Sequence, residues 1–149
     1  MQNVFINCYF CGILKYLQEN CDCEAEKELN SLGKDIGRRL SLLFDFKIEN
    51  DINSLIYRIV FEFLPNLYEA DRKIEKMEDN EDSILFLIYE KQPLITSVTF
   101  EEKDFCPASL FSGIIESILN ILNENLKVFA YNKPSNEYPA QVVYIIKAM

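Results

Sequence analysis

An α+β fold, with helices packed on one face of a four-stranded antiparallel sheet, is what this sequence predicts. Three observations carry the prediction. Apolar residues recur at helical spacing in three successive segments before Pro65. From Ser83 onward the chain changes to short runs rich in β-favouring residues. One more helical stripe, after Pro107, separates the first pair of strands from the second. A run of helices followed by strands favours segregated layers over an alternating parallel sheet. The element order is ααα-ββ-α-ββ, and the chain, residues 1–149, fits a single domain.

The first helix is expected from Val4 to Glu19. Ile6, Phe10, Ile13, Leu14 and Leu17 share one face, and Val4, Cys8 and Cys11 lie nearly opposite. A helix apolar on two sides is covered on two sides. One cover is its own domain; the other is either a neighbouring protein or more of the same domain.

The second helix is expected from Cys23 to Phe44, with Asp22 as N-cap and Glu24 and Glu26 in a first turn that favours acids. Ala25, Leu29, Leu32, Ile36, Leu40 and Leu43 form its stripe. Beside them stand Gly33 and Gly37, one turn apart. Each costs about 1 kcal/mol against alanine inside a helix. The pair therefore signals close approach by another backbone or a bulky side chain. With Val4, Cys8 and Cys11, these glycines form the expected interface with another protein.

The third helix runs from Asp51 to Leu64, with Ile52, Leu55, Ile56, Ile59 and Phe63 inward. Pro65 should end or kink it. The charged stretch Tyr68 to Asp82, YEADRKIEKMEDNED, reads as a turn or two of helix and then an exposed loop. Ile84 to Tyr89 and Leu94 to Phe100 read as two strands of a hairpin, broken at Glu90 to Pro93. Pro107 opens the fourth helix, whose buried stripe is Phe111, Ile114, Ile115, Ile118 and Leu122, with Glu116 on its polar face. Leu126 to Tyr131 and Ala140 to Lys147 complete the strands, joined by a turn from Lys133 to Pro139.

Composition excludes several function classes. Acidic residues outnumber basic ones by 24 to 15, for a net charge of −9, which opposes a grip on nucleic acid or anionic lipid. No apolar stretch approaches the roughly 18 residues of a membrane span. The first basic residue, Lys15, comes too late for a signal peptide, so a cytosolic chain is expected.

Histidine is absent, which removes the commonest general base, nucleophile activator and metal ligand. The five cysteines, an odd number, read as free thiols. The spacing C-x2-C-x9-C-x-C from Cys8 to Cys23 suggests zinc, but a continuing helix would separate Cys11 from Cys21 by about 15 Å. The acidic run Glu78, Asp79, Glu81 and Asp82 reads as solvated loop. Phosphate-cradling and nucleophile-elbow motifs are missing. No catalytic residue, metal or cofactor is expected.

Three segments in order carry a resemblance: LNSLGKDIGRRL (Leu29 to Leu40), FLIYEKQPLITSVTF (Phe86 to Phe100) and CPASLFSGIIESIL (Cys106 to Leu119). They resemble the small-subunit family of the transport protein particle, TRAPP, a vesicle-tethering complex. The subunit-5 branch is the most similar, and EADRKIEKMEDNED (Glu69 to Asp82) resembles its connector. Pro107 and Leu110 depart from that branch.

The resemblance implies helices on one side of a twisted antiparallel sheet and a non-enzymatic role. It implies pairing with other TRAPP small subunits, largely through first helices. It also implies contact with a Rab-type GTPase through the whole complex, and peripheral attachment to ER and cis-Golgi membranes. One family member carries an acylated cysteine after its second helix; residues 24 to 105 here contain none. A small hydrophobic-ligand-binding module of the same fold is the alternative.

Overall fold

The computed structural model describes residues 11–17, 19, 24–43, 51–78, 83–91, 105–121 and 125–148. A first helix, α1, covers 11–17. Then come α2 (Ala25–Leu43), α3 (Ile52–Arg58), a π-helical turn (Ile59–Phe63) and α4 (Leu64–Leu67). The strands β1 (Arg72–Lys76) and β2 (Ile84–Glu90) precede α5 (Ser109–Leu119), which is followed by β3 (Leu126–Asn132) and β4 (Val142–Ala148). The four strands form one antiparallel sheet in the order β1-β2-β4-β3. This is the α+β architecture expected.

Leu14 and Leu17 of α1 are buried with Ile13 packed beside them, as the first stripe requires. Ile6 and Phe10 of that stripe, and the Asp22 cap, lie outside the described residues. Asp51 caps α3 by accepting the Asn53 N–H at 3.1 Å. Helical backbone then runs past Pro65 because the turn before it widens. The Leu64 N–H reaches back five residues to the Ile59 carbonyl, and Pro65, which has no N–H, falls in the first turn of α4.

The connector is not a solvated loop throughout. Residues 72–76 form β1, paired in register with β2 so that Arg72 opposes Glu90 and Ile74 opposes Ile88. Alternation in RKIEK was hidden by its charges. Arg72 and Ile74 turn inward, and Lys73 and Glu75 stay exposed. The strand expected at Leu94 to Phe100 lies outside the described residues, so β2's described neighbours are β1 and β4.

The helix enclosed on all sides is α5, every residue of which is buried. It packs between α2 and the sheet, chiefly β3. Its Phe111, Ile114, Ile115 and Ile118 meet a sheet face built from Phe86, Ile88, Val128, Tyr144 and Ile146. The buried ridge of α2 is Ala25, Leu29, Gly33 and Gly37, at spacings of four. Leu32, Ile36 and Leu40 flank it half-buried, and Leu43, expected inward, is 84% exposed.

Candidate functional site

Two polar constellations stand out from this apolar frame. The first is a cleft of about 870 Å3 between α2 and β3, with α5 as its floor. Glu26, Lys27, Asn30 and Lys34 form the α2 wall, and Lys127 to Asn132 form the other. Glu116 rises from α5 at its centre. Far from facing solvent, this carboxylate is only 2% exposed. One oxygen accepts the Val128 N–H at 3.0 Å, and the other meets Lys34 Nζ at 2.8 Å. Asn30 Nδ2 donates to Ser112 Oγ at 2.9 Å.

Cys106 lines the same cleft, and its thiol is pushed up to about 12. Burial is the main cause; the Glu26 carboxylate adds to it, and a backbone hydrogen bond at Ala108 opposes it. Glu26 itself accepts the Cys106 N–H at 2.7 Å. A carboxylate beside a buried thiol disfavours the thiolate, so this pair is not an activated nucleophile. The cleft is open and lined by apolar as well as polar groups, and its side chains offer hydrogen-bond donors and acceptors.

The second constellation is a buried cluster across β1 and β2. Glu90 accepts from Tyr68 Oη at 2.7 and 2.9 Å and from Arg72 Nε at 3.0 Å. Arg72 also donates Nη2 to the Tyr68 carbonyl at 3.2 Å and lies 4.5 Å from the centre of its ring. Phe111 packs on that ring at 4.7 Å. Burial pushes the Glu90 carboxyl upward, opposed by Arg72 and by its hydrogen bonds. Burial and then Glu90 push the Tyr68 phenol well above its ordinary value. The Tyr144 hydroxyl is fully buried beside them, next to the Tyr68 hydroxyl, and burial pushes its phenol well above the ordinary value. Sequence reading missed this cluster because each member sat in a charge run or strand end; the pairing of Arg72 with Glu90 needs the register.

Of the residues expected at an interface with another protein, Val4 and Cys8 lie outside the described residues. Cys11 is half-buried on α1. Gly33 and Gly37 do permit close backbone approach, but the approach is made by α5 of the same chain. A methyl at Gly33 would overlap the Leu110 carbonyl oxygen, and one at Gly37 would overlap Ser117 Oγ. Gly113 returns the contact, facing Asn30 and Lys34. These glycines are consumed inside the chain. Cys21 and Cys23 lie outside the described residues, as do Asp79, Glu81 and Asp82 of the acidic run. No described helix is long and apolar enough to cross a membrane.

The fold is a layered α+β domain with a glycine-mediated helix crossing and a buried ion pair. The family model for transport protein particle (TRAPP) components matches residues 6–149, and the chain belongs to that family. It is 29% identical over 142 residues to a protein of Encephalitozoon cuniculi (strain GB-M1) provisionally named trafficking protein particle complex subunit TRS31. That alignment covers 93% of this chain and 95% of the relative. Among solved structures, a trafficking protein particle complex subunit 3 from Naegleria fowleri, covalently bound to palmitic acid, superposes with a TM-score of 0.74. It shares 15% identity, covering 99% of this chain and 95% of that one, and so shares the fold.

Proposed function

We propose that this chain is a non-enzymatic scaffold subunit of the TRAPP vesicle-tethering complex, acting in ER-to-Golgi transport and supporting its Rab GTPase nucleotide exchange. The observation that carries the reading is the family match over residues 6–149, nearly the whole chain. The cysteine lining the cleft fits the non-enzymatic part of the reading, since burial and the Glu26 carboxylate disfavour its thiolate. In this reading the chain binds other TRAPP small subunits, meets the GTPase only through the complex, and reaches membranes only peripherally. The contact surface in this reading includes Val4, Cys8 and Cys11, as their spacing in the sequence suggests.

Affinity purification of the chain from its native cell, followed by identification of the accompanying proteins, tests this reading. Other members of the family are expected in fixed ratio. Recovery of the chain alone, carrying a small molecule, overturns it. Cys8→Asp should weaken the association while leaving the chain folded.

A further inference from the structure

We propose that the cleft between α2 and β3 is a docking groove for an extended, acidic segment of another protein, which adds to the sheet as a fifth strand beside β3. The edge of the sheet supplies the first argument. Among the described residues β3 is the outermost strand, flanked by β4 alone. Along an antiparallel pair, positions bonded across the ladder alternate with positions facing away. Lys133 donates across to Gln141 at 2.8 Å, whereas Val128 donates the opposite way, to Glu116. By that parity Val128, Ala130 and Asn132 turn their backbone groups outward, into the cleft. The Val128 N–H is satisfied by Glu116, but among the described residues none bonds the Val128 carbonyl or the backbone of Ala130 and Asn132. A row of open donors and acceptors at two-residue spacing fits one kind of ligand backbone, a β-strand.

Charge supplies the second argument. The chain carries −9 overall, yet this groove displays Lys27 and Lys127 beside Lys34, which is paired with Glu116. Its two acids are committed, Glu26 to the Cys106 N–H and Glu116 to Val128 and Lys34. Among the described residues Lys27 and Lys127 make no ion pair. An added strand alternates its side chains between two faces. Those on the helix side meet Lys27, Asn30 and Lys34, and those on the outer side lie beside Phe129 and Tyr131, 38% and 52% exposed. The fitting sequence thus alternates Asp or Glu with apolar or β-branched residues. A second copy of this chain fits poorly, because lysines on an edge strand repel their own kind.

The test uses the full chain and a fluorescein-labelled heptapeptide, Glu-Val-Glu-Thr-Glu-Val-Glu, read by fluorescence anisotropy. Three further peptides accompany it: one with lysine for glutamate, and two N-methylated on alternate amides, one for each edge of the strand. Saturable binding is expected for the parent. One N-methylated version should lose at least tenfold in affinity while the other retains it, and the lysine peptide should not bind. Ala130→Pro, which removes an outward N–H without touching the β4 ladder, should lose at least tenfold with an unchanged melting temperature. Lys27→Glu should weaken the glutamate peptide, and it decides together with the N-methylated pair if Ala130→Pro does not fold. The proposal fails if no peptide binds at millimolar concentration. It fails equally if both N-methylated versions bind like the parent, or if the lysine peptide binds as tightly. Dimerisation of the chain that Ala130→Pro abolishes, with no peptide bound, would give the groove to a second copy and also overturn it. The groove's chemistry is independent of the assembly role proposed above.

Discussion

Two buried tyrosines in one cluster carry unequal loads. Tyr68 donates to both oxygens of Glu90, whereas the Tyr144 hydroxyl is buried beside the Tyr68 hydroxyl. A hydrogen bond to a charged group is worth about 1.5–3 kcal/mol net, and one between neutral groups about 0.5–1.5 kcal/mol. Tyr68→Phe should therefore destabilise the chain by about 2 kcal/mol, and Tyr144→Phe by about 1 kcal/mol or less. Urea unfolding of the two variants distinguishes them, and equal losses would contradict the assignment. Cys106 offers a pH-dependent test. Its folded value of about 12 lies above the ordinary 9.0. The folded state thus holds this proton longer than the unfolded state. Its contribution is fully present below pH 9.0 and is lost as pH rises toward about 12. Cys106→Ala should flatten the alkaline fall in stability across that window. At pH 9, alkylation of Cys106 by iodoacetamide should be at least a hundredfold slower in the folded chain than in urea.

The crossing of α2 on α5 is the element-scale feature most exposed to mutation. Gly33, Gly37 and Gly113 let two backbones approach so closely that carbonyl groups, which cannot swing aside, occupy the space of a Cβ. Gly37→Leu should destabilise the isolated chain by about 1–3 kcal/mol or more, before any question of binding arises. Gly33→Ala should destabilise as well, despite alanine's better helix propensity, because the overlap is with backbone. Gly12 gives the contrast. It lies exposed in α1, and an added Cβ meets nothing within 4 Å. Gly12→Ala should stabilise by about 0.5–1 kcal/mol. Thermal melts of these variants, with Glu78→Leu as a neutral surface control, check the signs. The sequence stripe ran from Ala25 and Leu29 through Leu32, Ile36, Leu40 and Leu43, but beyond Leu29 the buried ridge continues through Gly33 and Gly37, where the absent side chains allow the nearest contact.

For the whole molecule, the shared fold with a palmitoylated subunit 3 raises the question of acylation here. Residues 24 to 105 contain no cysteine, and Cys106 is buried, with its thiol proton tightly held. Intact-mass measurement of the native protein before and after hydroxylamine should show no change. Loss of a fatty-acyl mass would overturn this and favour the ligand-binding alternative.

Periodicity located the buried stripe of α5, the buried positions of α3 and three of the four described strands, because each depends on local spacing, whereas the family was legible only in the resemblance of three segments in order. Gly33 and Gly37 announced a close contact, but not that α5 of the same chain makes it; that depends on which helix the sheet leaves free to fold back. Arg72 and Glu90 looked like solvated charges, and Glu116 like a surface acid, until strand register and helix rotation carried all three inside. Long-range pairing decides such cases. A charge is buried when a residue 18 positions away, or a backbone N–H on another strand, can satisfy it, and neither distance is written in local sequence.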